Sequence, residues 1–436
     1  MSIKGQQLWR KAKKIIPGGN QLLSKRSELF LPDQWPSYYK KAKGCKIWDL
    51  DGRRYFDFAG MGVTACTIGY ANKNIDNAVK KAINNGSMGT LNSHEEVSLA
   101  EKLISIHPWS EMVRFARTGG EACAIAARIA RAASGKDHIA FCGYHGWHDW
   151  YLSANISKKS NLEEQLLPGL DTGGVPKNLK GTSHPFYYND IESLQKVIDE
   201  HGKNIGTVMM EPQRGVPPKD NFLEDVKDLC ARNNIILIFD EVTSGFHENF
   251  GGIHLKLGVD PDIAIFAKAM ANGYPLSAII GKKSIMDSAQ DTFISSTMWT
   301  ERIGFTAGLA SLRFMEKYSV QEKLVEYGVR IKEGWKASSI KSDIKILTSG
   351  LDSIPYFSFD HKDNTKLMTY FIQEMLKKGF LANAGTATTF AYNDRIIKKY
   401  IAAVEEVFYE INNLDYKVED YLGGPVKHTT FARLTS

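Results

Sequence analysis

Asp240 and Lys268 lie 28 positions apart, and each follows an apolar run of the kind that forms a buried strand. Leu237-Ile238-Phe239 leads into Asp240-Glu241-Val242, and in open α/β sheets ligands sit beyond the carboxyl ends of strands. A carboxylate placed there can pair with a pyridine-type ring nitrogen and keep it protonated, which makes the ring an electron sink. An aspartate that caps the next helix fits the same position. Lys268 follows Ile263-Ala264-Ile265-Phe266-Ala267 and precedes the turn at Asn272-Gly273. A lysine partly removed from water has a lowered pKa and forms imines more readily. A lysine left in water after a strand is an ordinary surface cation, but its place one strand beyond Asp240 favours the chemical reading.

Two further segments carry suitable residue types. Phe115-Ala116-Arg117-Thr118-Gly119-Gly120-Glu121-Ala122 runs into a helix of small residues. Two glycines before a helix start expose backbone N–H groups and the positive end of a dipole, for which a phosphate is a natural guest. A plain glycine-rich cap has the same appearance. In Cys142-Gly143-Tyr144-His145-Gly146-Trp147-His148-Asp149-Trp150, aromatics and histidines follow another buried strand. An aromatic face there could stack on a planar ring. Two histidines three apart beside Asp149 also suit a metal, but no third ligand cluster accompanies them and no metal is expected.

Such segments need a scaffold that gathers strand ends. The 436 residues, 43% hydrophobic and 24% charged, suit a globular protein with a large core in two or three folding units. From about residue 70, helical periods alternate with short apolar runs at 138–142, 205–210, 235–239, 263–266 and 278–280. That texture predicts an α/β fold with a mostly parallel central sheet covered by helices on both faces. Asp51-Gly52, between 45–50 and 54–58, predicts a hairpin. Before it, a helix over 6–16 should stop at Pro17-Gly18-Gly19-Asn20. Beyond residue 306, long helices and short strands predict a smaller α+β unit. The 55 basic and 49 acidic residues leave a charge of +6, scattered in lysine pairs with no interleaved aromatics, so no nucleic-acid partner is expected. No apolar run spans a membrane or forms a signal core. Five dispersed cysteines suggest reduced thiols in the cytoplasm.

Taken together, these segments resemble the class III, fold-type I aminotransferases that depend on pyridoxal 5′-phosphate (PLP). The similarity is greatest to the glutamate-1-semialdehyde aminomutase-like branch, and runs from Ile16-Pro17-Gly18-Gly19 through Trp48-Asp49-Leu50-Asp51-Gly52 to the C-terminal unit. It implies an N-terminal segment (1–55) contributing to a small domain, a large PLP-binding domain (56–305) and a C-terminal small domain (306–436). It makes Lys268 the Schiff-base lysine and Asp240 the partner of the pyridinium nitrogen. Val242 would pack on one face of the ring and Tyr144 would stack on the other. The family's Ser-Gly-Thr-Glu-Ala motif stands here as Thr118-Gly119-Gly120-Glu121-Ala122, so Gly119 and Gly120 would offer backbone donors to the phosphate while the hydroxyl is lost at Gly120. Glu211 matches a strand-end glutamate near the cofactor. Thr297 matches a threonine that reaches the phosphate in the neighbouring subunit, which implies a homodimer with active sites at its interface.

The substrate-facing loops depart from the aminomutase pattern. The arginine expected after the Pro-Gly-Gly turn has Lys25 or Arg26 as its counterpart. The Gly-Thr-x-Ser-Gly-Asn-Pro stretch is replaced by Ser296-Thr297-Met298-Trp299-Thr300-Glu301-Arg302, and a glutamate-bearing segment by Asn383-Ala384-Gly385-Thr386-Ala387-Thr388-Thr389. Candidate substrate contacts are Lys25, Arg26, Trp147 and Arg302. With the cofactor residues kept and these loops changed, the expectation is external transamination. An amino group would pass from an amino-acid donor to a carbonyl acceptor in a ping-pong scheme, rather than shift within one molecule.

Overall fold

The computed structural model describes residues 3–165, 168–213 and 215–430. The chain forms two compact units, one made of residues 1–72 and 319–436, the other of residues 73–318. In the first, β1 (Tyr39–Lys43), β2 (Lys46–Asp49) and β3 (Arg54–Phe58) form an antiparallel ribbon. The Asp51-Gly52 turn joins β2 to β3 as expected, and buried Asp49 fastens it by accepting from the backbone N–H groups of Asp51 and Arg53. The preceding helix spans Ile3–Ile15 and stops before Pro17.

The middle unit carries β4 (Met112–Ala116), β5 (His138–Cys142), β6 (Ser183–Pro185), β7 (Ile205–Met210), β8 (Ile236–Asp240), β9 (Ile263–Phe266) and β10 (Ser277–Gly281). They form one sheet in the order β4-β10-β9-β8-β7-β5-β6. β10 is antiparallel to both neighbours, whereas β9-β8-β7-β5-β6 are parallel throughout. The sheet is therefore mostly parallel, with the 278–280 run as its reversed member. β4 runs with the parallel set, so Ala116, Cys142, Met210, Asp240 and Phe266 end at one edge. The candidate cofactor segments that begin at Thr118, Tyr144, Glu211, Asp240 and Lys268 all emerge from it.

Side chains alternate across the sheet and both faces are covered, which explains why these strands read as continuous apolar runs. Ile236, Ile238, Met209, Ile139 and Phe141 pack with Ala122, Cys123 and Ala126 of the helix Gly119–Ser134. Leu237, Phe239, Val208 and Ala140 pack with Val226 and Leu229 of the helix Phe222–Arg232. The period of two thus assigns Asp240 to the face of the Gly119–Ser134 helix and Glu241 to the opposite face.

The remaining strands, β11 (Ile346–Ser349), β12 (Tyr356–Phe359) and β13 (Phe380–Ala382), belong to the first unit. β13 joins β3 in parallel, and β11 pairs with β12. Phe58 of β3 stacks on Tyr400 at 3.9 Å and on Tyr392 at 4.5 Å between ring centroids, at the heart of that unit's core. The helix Arg302–Tyr318 runs across the domain boundary expected at 305/306 because it packs on the helices Lys73–Asn84 and His94–Ile106 of the middle unit. Residues 56–72 stay with the first unit, where β3 is held between β2 and β13.

Phe239 is fully buried directly before Asp240. Phe239→Ala should cost about 3–5 kcal/mol and lower the urea midpoint. Val97→Ala, at an exposed position of the same unit, should change stability by about 0.5 kcal/mol or less.

Candidate active site

Asp240 is 3% exposed, and a carboxylate so buried needs donors. It has three. His145 Nδ1 lies 2.8 Å from Oδ2, Cys123 Sγ donates to the same oxygen at 3.3 Å, and the Val242 N–H donates to Oδ1 at 3.0 Å. No helix opens at Asp240: the next begins at Ile253, so the helix-cap alternative falls away. The other nitrogen of His145 lies 3.1 Å from the Cys142 carbonyl oxygen. Both ring nitrogens face acceptors, so the two bonds exist together only when both carry protons. Burial and then the charge of Asp240 push the Cys123 thiol well above its ordinary value, which keeps it a donor. Cys123, His145 and Asp240 are the one group among the described residues with three potential metal-binding side chains converging. Their hydrogen bonds make them a donor set around a carboxylate.

Glu241 points to the other face and pins the backbone just after Asp240. Its Oε1 accepts from the backbone N–H of His254 at 2.9 Å and from His254 Nδ1 at 2.8 Å. Trp109 Nε1, which can only donate, lies 3.1 Å from His254 Nε2. Ser244 Oγ donates to the second oxygen of Glu241 at 2.5 Å.

Lys268 opens a short 3₁₀ turn with φ of +43°, a left-handed conformation that is strained for a residue with a side chain. Its Nζ donates to Thr243 Oγ1 at 3.0 Å. Asp240 and Lys268 leave adjacent parallel strands, with Asp240 level with Ile265 of β9.

Backbone passes close to backbone at the glycines. A Cβ at Gly146 would lie 2.7 Å from Gly120 Cα, and one at Gly119 would lie 2.9 Å from Val242 Cγ1. Thr118 caps the helix Gly119–Ser134 in a capping box: its hydroxyl accepts from Glu121 N–H, while Glu121 reaches back to the Thr118 N–H. The threonine hydroxyl is thereby committed to the cap, and the dipole end at Gly119-Gly120 is the feature suited to an anion. Glu211, 7% exposed, accepts from the Tyr144 N–H at 3.2 Å. A side chain at Gly143 would meet that carboxylate. Tyr144 is 39% exposed and sits edge-on to Tyr151.

The structure thus gathers Asp240, Val242, Gly119, Gly120, Tyr144, Glu211 and Lys268 along one sheet edge. Trp147, 68% exposed, stacks on His148. Thr297 is exposed at the start of the turn Thr297–Thr300. The next residues are tied to the cap: Arg117 donates to the carbonyls of Met298 and Trp299, and Trp299 Nε1 donates to Glu121 at 3.2 Å. Arg302 is engaged by Glu95 and by the Gly86 carbonyl. It lines a cleft of about 430 Å³ with Lys81, His94 and Arg313, apart from the residues around Asp240 and Lys268. Lys25 and Arg26 belong to the other unit. Arg26 packs over Gly18, and burial lowers its pKa.

The family model of the class-III aminotransferases matches residues 32–407. This chain belongs to the class-III aminotransferases. It is 30% identical over 426 residues to the 3-aminobutyryl-CoA aminotransferase of Cloacimonas acidaminovorans, covering 93% of this chain and 98% of that relative. It is also 30% identical, with the same coverage, to the glutamate-1-semialdehyde 2,1-aminomutase of Citrifermentans bemidjiense. Its fold is similar to that of an omega-transaminase from Sphaerobacter thermophilus, with a TM-score of 0.82 at 22% identity over 94% of this chain and 98% of that one. The class-III aminotransferases use PLP, and the residues present fit it. A buried carboxylate suits the ring nitrogen, a lysine stands at the next strand end, and glycines open the helix start to a phosphate. No helix among the described residues is long and apolar enough to cross a membrane.

Sequence reasoning missed Cys123, His145, Thr243 and Arg117. Thr243 and His145 could have been found by proximity, each lying one to three residues from a named site residue. Burial would raise the Glu241 carboxyl, but the hydrogen bonds from His254 and Ser244 prevail and hold it below its usual value. A depressed carboxylate contributes stability above its unfolded pKa and loses it as pH falls through the folded value. Glu241→Gln should therefore flatten the acid limb of stability against pH, measured by denaturant midpoints from pH 7 down to about 3.

Proposed function

We propose that this class-III aminotransferase transfers an amino group from an amino-acid donor to a carbonyl acceptor in two half-reactions, with Lys268 as the group that moves the proton. PLP, when bound, supplies the ring that accepts the electron pair left at the donor's α-carbon. Lys268 Nζ takes the proton from that carbon and returns it on the far side of the transfer, acting as base and then as acid. Thr243 Oγ1 orients Nζ between these tasks. Asp240 would pair with the ring nitrogen, and His145 and Cys123 hold that carboxylate in place. Val242 and Tyr144 would flank the ring and Gly119 and Gly120 would receive the phosphate, while Glu211 braces the Tyr144 backbone.

The observation that carries this reading is the exit of Asp240 and Lys268 from adjacent parallel strands at one edge. The homodimer rests on the resemblance at Thr297, whose turn Arg117 and Glu121 hold through its neighbours. A cytoplasmic setting is supported by five cysteines that form no disulfide. External transfer is favoured over the internal shift because the loop at 296–302 departs from the aminomutase pattern. Assayed without any carbonyl acceptor, an aminomutase turns over continuously, whereas this enzyme should stop after one equivalent.

Borohydride treatment of the loaded enzyme should fix the cofactor on the peptide containing Lys268, as read by mass spectrometry. Lys268→Ala should lose both that adduct and turnover. An adduct on another lysine would overturn the assignment.

A further inference from the structure

The lost hydroxyl at Gly120 has a structural counterpart. A Cβ at Gly120 would lie 3.4 Å from both Nδ1 and Cε1 of His148, so the edge of the imidazole borders the space that a side chain at this position would enter. His148 Nδ1 is buried and has no hydrogen-bond partner among the described residues. An unpaired buried polar atom is costly and calls for a partner. The ring is held by stacking on Trp147, with centroids 4.4 Å apart and planes 24° from parallel. Glycine at both 120 and 146 lets the two backbones touch, which brings the His148 segment against the start of the Gly119–Ser134 helix.

We propose that His148 binds the cofactor phosphate through Nδ1–H, supplying a side-chain donor where the motif's threonine hydroxyl is absent at position 120. This rests on the reading of the Gly119-Gly120 turn as the phosphate seat. Burial favours the neutral ring, opposed by the carboxylates of Glu121 and Asp149. A neutral ring still carries one proton, and a phosphate beside Nδ1 selects the tautomer that places it there. The exchange is between two sources of one donor: a hydroxyl on the helix start, or an imidazole reaching in from the next segment.

The test is a titration of the full chain, stripped of cofactor, with PLP and separately with pyridoxal, which lacks the phosphate. His148→Ala should weaken PLP about tenfold or more, as expected for a hydrogen bond to a charged group, and leave pyridoxal unchanged. His148→Gln, which keeps a donor, should lose less. Gly120→Thr in the His148→Ala background should recover much of the affinity, since the new hydroxyl enters the vacated space. Equal PLP affinity in the wild type and His148→Ala would overturn the proposal. So would an equal loss for PLP and pyridoxal, which is the mark of a merely structural role. If the wild type binds PLP no more tightly than pyridoxal, the phosphate seat itself is misplaced and the proposal falls with it.

Discussion

A carboxylate buried at the end of a strand has to be supplied with hydrogen-bond donors, and much of the site follows from meeting that demand at Asp240. His145 and Cys123 both reach one oxygen, and the backbone of Val242 satisfies the other. These partners come from three places: the segment after β5, the helix after β4, and the turn after β8. Holding them together fixes the relative positions of three sheet-edge loops. The same loops carry Tyr144, Gly119, Gly120 and Val242. The carboxylate proposed to pair with a ring nitrogen therefore also organises the loops that carry those residues.

Where Asp240 is stabilised by donors, Lys268 is held by constraint. Its left-handed backbone and its bond to Thr243 bring the ammonium toward the turn that follows Asp240. Strain of that kind persists only where the surroundings enforce it. Lys268 follows the fully buried β9, and the next residues, Ala269, Met270 and Ala271, are themselves buried.

Much of this was legible in the sequence because it depends on local pattern. The apolar runs before Asp240 and Lys268, the glycines at 119 and 120, and the Asp51-Gly52 hairpin are all short-range signals. The reversed direction of β10 was not legible, since a run of four or five buried residues looks the same in either orientation. The partnership of Cys123 with Asp240 was equally hidden: it joins residues 117 positions apart, through side-chain parity that only the folded sheet defines. Arg302 read as a candidate substrate contact because a charge near the site is ambiguous in sequence. Glu95 claims it in the structure.

The pairing of β13 with β3 bears on how the polypeptide is made. Residues 380–382 complete a sheet begun at residues 39–58, and the 73–318 unit lies wholly between them in the chain. During synthesis from the N-terminus, the β1–β3 ribbon waits with an open edge while the entire seven-stranded sheet emerges. Phe58 waits too, because Tyr392 and Tyr400, its stacking partners, come later still. The unit that holds Asp240 and Lys268 is thus continuous and can fold as it leaves the ribosome, whereas its companion is finished only once residues 380–400 have followed.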